Sequence, residues 1–190
     1  MGSMNKTKLT RTILSALAAL VILTGPALAQ TPGAPADGVG STFVKSTHGA
    51  WEIRCLRLQG GGERCQMFQQ LNQADGNPVA EMNIFSITPG QAAAAGAVIL
   101  TPLETLLTSQ LGLTIDGAPG KRYPFSWCTE AGCVARIGIT PEELTRFRSG
   151  IQALVTIVPV ATPDKPVGLA VSLQGFTAAF NAMQAANGAQ

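Results

Sequence analysis

The sequence predicts a mainly β protein, an antiparallel β-sandwich in one domain with one short helix and one C-terminal helix. Three observations carry that reading. Many short apolar or alternating segments are bounded by Gly, Pro and Asp/Asn reversals. Helical periodicity is confined to two brief stretches, and no internal repeat of fixed period appears. Four cysteines are spaced as two local pairs.

Before any folded element, residues 4–29 read as an export signal. Lys6, Lys8 and Arg11 form the basic region, Ile13–Leu23 the apolar run, and Ala27-Leu28-Ala29 a small-x-small cleavage site. The apolar run is shorter than the roughly 20 residues that span a bilayer, and no later segment is apolar for that long, so no transmembrane segment is expected after signal removal. Residues 1–3 (Met-Gly-Ser) read as a cloning scar. Residues 30–42, rich in Gly, Pro and Ala, read as a flexible linker, and no lipid-anchoring Cys follows Ala29. The 161 residues from Gln30 to Gln190 are enough for one domain that buries about 70% of its unfolded surface. Its expected span is 43–190.

Along that domain, Trp51-Glu52-Ile53-Arg54-Cys55 alternates at period two and predicts a half-buried strand with Trp51 and Cys55 on its inner face. Arg64–Leu71 and Val79–Ile87 flank Asp75-Gly76 and Asn77-Pro78 and predict a hairpin. Ala92–Ala97, with Pro89-Gly90 before it and Gly96 inside it, reads as a loop. Ile99–Leu107 and Leu111–Asp116 are apolar, and Pro102 marks the first as an edge or bulged strand. Trp127-Cys128 and Cys133-Val134 form a cysteine hairpin. Thr140-Pro141-Glu142-Glu143 supplies an N-cap, an N1 proline and a capping-box glutamate for a helix to about Arg148, ended by Gly150. Ile151–Val158 and Val167–Leu173 form a strand pair around the proline-bracketed turn 161–166. Phe176–Met183 repeats apolar residues at helical spacing, and residues 185–190 are expected to fray.

An even number of cysteines in an exported chain favours two structural disulfides over metal ligation. Three pairings exist, and stability does not choose among them, since the crossed pairing closes longer loops. Proximity during folding favours Cys55 with Cys65 and Cys128 with Cys133. The rival is a four-Cys zinc site, but its usual knuckle spacing suits only Cys128 and Cys133.

Composition excludes some functions. Removing the signal leaves ten basic against eleven acidic residues, scattered singly, so there is no basic stripe for phosphates and no nucleic-acid binding is expected. Lys121-Arg122-Tyr123 reads as a solvated turn after Pro119-Gly120. His48 is the one histidine; no G-x-S-x-G elbow accompanies it, and it reads as a partly exposed residue at a strand entrance. Glu142 and Glu143 are adjacent, point about 100° apart on a helix, and are accounted for by capping. Gly60-Gly61-Gly62 lacks the Lys-Ser/Thr of a phosphate loop and reads as a hairpin tip. Trp51 and Trp127 are expected to pack on buried disulfides. No catalytic residue, cofactor or metal is expected, and the chain reads as not an enzyme.

The order of Trp51-x3-Cys55, Cys65-Gln66-Met67-x-Gln69, Trp127-Cys128, Gly132-Cys133 and Ser172-Leu173-Gln174-Gly175-Phe176 with Ala179 resembles the invasion-associated locus B family of exported bacterial proteins. The resemblance spans residues 43–183 and departs at Thr101–Glu104. It implies an immunoglobulin-like β-sandwich with two disulfides, periplasmic or outer-membrane-associated, with no established catalytic residues. Three functions compete. The first is an interaction module for an envelope or host protein, linked to host-cell invasion or envelope integrity. The second is a periplasmic small-ligand carrier, motivated by a mean hydropathy of +0.24 with 13% charged residues. The third is a hydrolase or isomerase built on His48.

Overall fold

In the computed structural model, Thr42–His48 (β1), Trp51–Arg57 (β2), Glu63–Asn72 (β3), Pro78–Phe85 (β4) and Ala95–Thr101 (β5) form a meander. They are joined at the far side by Gly132–Ile139 (β9) and then Phe125–Thr129 (β8). The order of this seven-stranded sheet is β1-β2-β3-β4-β5-β9-β8. Leu111–Ile115 (β6), Lys121–Tyr123 (β7), Gln152–Ile157 (β10) and Val167–Ser172 (β11) form a second sheet in the order β11-β10-β6-β7. Every strand pair is antiparallel. Helices Pro141–Ser149 (α1) and Phe176–Gly188 (α2) complete the fold. The structure describes residues 38–87 and 90–188. The scar, the signal and the linker up to residue 37 lie outside the described residues.

The two inner faces share one core. Period-two alternation places Trp51, Ile53 and Cys55 of β2, Cys65, Met67 and Leu71 of β3, and Met82 and Ile84 of β4 inward and buried. They meet Val155 of β10 and Leu169 and Val171 of β11, and α2 adds Phe176, Ala179, Phe180 and Met183. Helix α2 packs on β3, β2, β1 and α1, so it closes the core beside the smaller sheet.

Cys55 and Cys65 are direct cross-strand partners with Cα atoms 4.0 Å apart, as are Cys128 and Cys133 at 4.0 Å, and both pairs are disulfide-bonded. That separation fits the narrow position of an antiparallel ladder, where facing side chains are nearest. The four sulfurs therefore sit on two hairpins separated by β4 and β5, and do not form one four-cysteine cluster.

Several expectations need correction. Strand β5 is interior, paired with both β4 and β9, because Pro102 falls just beyond its last residue. The loop expected at Ala92–Ala97 gives way to strand from Ala95. Gly96 is required there, since a Cβ on it would overlap the Phe85 ring. Lys121-Arg122-Tyr123 is an edge strand paired with β6, not a turn. Helix α2 persists to Gly188 where fraying from residue 185 was expected, because Asn187 is bonded to β3. Trp127 is 49% exposed, and its neighbour Cys128 is exposed too, so that indole does not cover a buried disulfide. Strand β1, not recognised in the sequence, forms one edge of the large sheet, and Gly40 and Ser41 hydrogen-bond Arg57 ahead of it.

Candidate functional site

The sequence-level candidates for chemistry are taken up by structural bonds. His48 ends β1, is half-buried, and lies with Nε2 3.1 Å from Ser46 Oγ on the same strand. Thr140 and Glu143 form the expected capping box: Thr140 N–H donates to Glu143 Oε2 at 2.9 Å and Glu143 N–H donates to Thr140 Oγ1 at 3.2 Å. Glu143 Oε1 also pairs with Lys121 Nζ at 2.7 Å and accepts from the Tyr123 hydroxyl at 3.2 Å, clamping α1 to β7. Burial pushes the Glu143 carboxyl up, but Lys121 and the Thr140 N–H outweigh it and hold its pKa below the usual value. Tyr123 is pushed up to about 12, by burial first and then by the Glu143 charge. Glu142 is lowered chiefly by a backbone hydrogen bond. Two carboxylates both held ionised do not provide an acid and base pair at neutral pH.

The motif residues converge on one buried knot. Gln69 Nε2 donates to Ser172 O at 2.9 Å while Ser172 N–H donates to Gln69 Oε1 at 2.8 Å, so the side-chain amide stands in for a neighbouring peptide group. Trp51 Nε1 donates to the same carbonyl at 2.9 Å. The Trp51 ring meets Phe176 edge-on at 5.5 Å, and Phe176 stacks on Phe147 at 5.2 Å. Gly175, at φ 82°, lets the chain pass the His48 carbonyl, which a Cβ would overlap. The sequence pattern therefore specifies how β11 and α2 dock on the large sheet. It is architecture, and sequence reasoning missed the role of Gln69 because its partner lies 103 residues away.

What remains open is the outer face of the seven-stranded sheet. The register sets Trp127 beside Val134, Val134 beside Leu100, and Leu100 beside Glu81, an apolar row leading in from the β8 edge. Further across, Arg54 lies 3.2 Å over the Phe68 ring, which it shields, and Phe85 covers Gly96. Beyond Met67↔Ile84, β4 parts from β3, staying paired to β5 through Phe85, while β3 continues back to Glu63. The resulting notch is a surface groove of about 770 Å³, lined by Leu56, Leu58, Arg54, Arg64, Phe85 and Gln91 among others. Asn187 reaches its end, accepting from Cys65 N–H at 2.8 Å and donating to Cys65 O at 2.9 Å.

Known proteins resemble this chain throughout the same region. A model of the family described as invasion associated locus B protein matches residues 51–184. Invasion protein B homologs from Brucella abortus strain 2308 and from Brucella abortus biovar 1 strain 9-941 are each 28% identical over 147 residues, covering 77% of this chain and 82% of theirs. The crystal structure of invasion associated protein b from Bartonella henselae aligns with a TM-score of 0.62 at 23% identity, over 74% of this chain and 94% of that one, and shares its fold.

Proposed function

Because the chain belongs to the invasion associated locus B family, we propose that it is an exported, non-enzymatic interaction module of the bacterial envelope. It engages an envelope or host protein through the outer face of the seven-stranded sheet. One observation carries the reading: the inner face is filled by the second sheet and α2, while the outer face keeps a half-exposed Trp127 and an apolar row bordered by charges. Solvent-exposed aromatics on a rigid face supply contact area at little conformational cost. The two hairpin disulfides, the signal-like N-terminus and the relatives' names support export and a tie to host-cell invasion or envelope integrity as parts of the same proposal. A carrier for an apolar small molecule finds less support, since the groove on the described residues mixes Arg, Gln and Glu with its apolar lining.

The test is photo-cross-linking in living cells, with a photoreactive residue in place of Trp127 and, as control, in place of Ile151, which is 83% exposed at the junction of α1 and β10. A discrete adduct from position 127 and none from 151 is expected. Equal smears from both positions, or no adduct from any outer-face position, would remove the proposal.

A further inference from the structure

The free edge of β11 is the sheet edge least protected against pairing, and we infer that it pairs with the same edge of a second copy, antiparallel about Leu169, as a two-fold dimer. This surface is separate from the outer face of the seven-stranded sheet and does not rest on the interaction-module reading. Sheet edges are ordinarily blunted by bulges, charges or short length. β1 has a bulge at Lys45, β8 has one between Phe125 and Trp127, and β7 is three residues long and carries Lys121 and Arg122. β11 instead pairs with β10 over all six of its residues without a bulge, and neither strand holds a charge.

The hydrogen bonds fix which edge groups are free. Leu173 N–H donates to Ile151 O at 3.1 Å, so by alternation Val171, Leu169 and Val167 are the residues that bond β10. The peptide groups of Ser172, Ala170 and Gly168 therefore point off the edge. Those of Ser172 are taken by Gln69 and Trp51. Gly168 and Ala170 are exposed, and their edge groups have no partner among the described residues. One residue ahead of the strand stands Pro166, which has no N–H. The open window is thus two residues, with two donors and two acceptors.

That window is complementary to itself. With Leu169 on the dyad, Gly168 faces Ala170 of the partner subunit and Ala170 faces the partner subunit's Gly168, so four N–H···O bonds form and use every free group. Ser172 then stands opposite Pro166 of the partner subunit. Gln69 fills the place where a paired strand would continue beside Ser172, and β11 begins only after Pro166, so the ladder ends where Gln69 bars the way. The side chains agree with this register. Leu154, 39% exposed, lies beside Ala170 and leans over Gly168, where an added Cβ would come within 3.1 Å of its Cδ1. Pairing sets Ala170 of the partner subunit next to Gly168 on that face, beneath Leu154, and the seam covers apolar surface as well as peptide groups.

Sedimentation velocity of the exported protein from about 1 μM to about 1 mM tests for the dimer, and amide hydrogen exchange at both ends of that range locates it. Monomer at the low end and dimer at the high end are expected, with the Gly168 and Ala170 amides gaining protection together. Ala170→Lys sets two like charges near the dyad and should weaken association about tenfold or more. Ala170→Pro removes an edge donor that β10 does not use and should act in the same way. A urea curve overlaying the parent's shows that its fold is kept; if it is not, Ala170→Lys decides. Trp127→Ala should associate as the parent does. A monomer throughout, a dimer untouched by Ala170→Lys, or a dimer lost in Trp127→Ala with no new protection at Gly168 and Ala170 would each overturn the pairing. The adducts from position 127 are read separately, so either proposal can fail alone.

Discussion

At the residue scale, two side-chain amides do what a missing strand would do. Gln69 completes the Ser172 peptide at the open edge of β11, and Asn187 completes Cys65 where β4 has left β3. Gln69→Ala strands the Ser172 N–H while the Ser172 carbonyl keeps the Trp51 donor, and it is expected to cost about 2 kcal/mol in urea unfolding. Trp51→Phe removes the second donor to the same Ser172 carbonyl. The double variant should lose measurably less or more than the sum of the singles, since both act on one acceptor; strict additivity would mean that the knot is not coupled. The lone tyrosine gives a second prediction. Tyr123 is raised to about 12, so its stabilising preference for the protonated phenol is complete below the unfolded value near 10 and is lost as pH rises through 12. Phenolate absorbance of the folded protein should therefore have its midpoint near 12, and Glu143→Gln should bring it down. Glu143 works in the other direction: its lowered carboxyl stabilises above about 4.5, and that contribution disappears as pH falls through its folded value. The acid limb of the stability curve should be flatter in Glu143→Gln, and a curve that overlays the parent would remove the clamp from the account.

At the element scale, the hairpins and the capped helix were legible because their signals are local. Asp75-Gly76, the Thr140 capping box and the proline-bracketed turn 161–166 each act within a few residues, and each element stands where those residues point. What misled the reading was context from across the sheet. Gly96 reads as a breaker until Phe85 is placed over it, and Pro102 reads as an edge signal until β9 is found beside β5. Trp127 resembles a core residue by type, and nothing in its own segment says that β8 is an edge with that side chain outward. The candidate surface was illegible for the same reason, being assembled from alternate residues of several strands. The two disulfides differ at this scale as well. Cys55 and Cys65 are both fully buried, whereas Cys128 is exposed at the β8 edge. Reduction under native conditions followed by alkylation and mass mapping should label Cys128 and Cys133 while Cys55 and Cys65 stay bonded; labelling of all four together would contradict the burial difference. Removing the Cys128–Cys133 bridge, of which Cys128 is exposed and Cys133 buried, with Cys128→Ser and Cys133→Ser is expected to cost about 2–3 kcal/mol, the loop-closure value for so short a loop.

For the whole molecule, the decisive element is α2, because it arrives last in the chain and is held at both ends by contacts made far away in sequence. Its start is locked by Phe176 against Trp51 and Phe147, and its end by Asn187 on Cys65. Between them Ala179, Phe180 and Met183 pack on the inner face of β2 and β3, beside the part of β3 that β11 covers. Asn187→Ala leaves that apolar burial intact and removes only the surrogate peptide group, so it should cost about 1–3 kcal/mol and lower the melting temperature by several degrees for a chain of this size. Ending the chain after Gly175 removes the burial itself, which at about 25 cal/mol per Å² of apolar area exceeds the net stability of most domains, and should yield a protein that binds ANS and has lost near-ultraviolet dichroism. The contrast between the two variants is the test. If both leave a cooperative fold with the parent's urea slope, α2 is an appendage; if only the truncation collapses, the helix is the piece that makes the two sheets one core, and the groove at its tip owes its shape to the same closure.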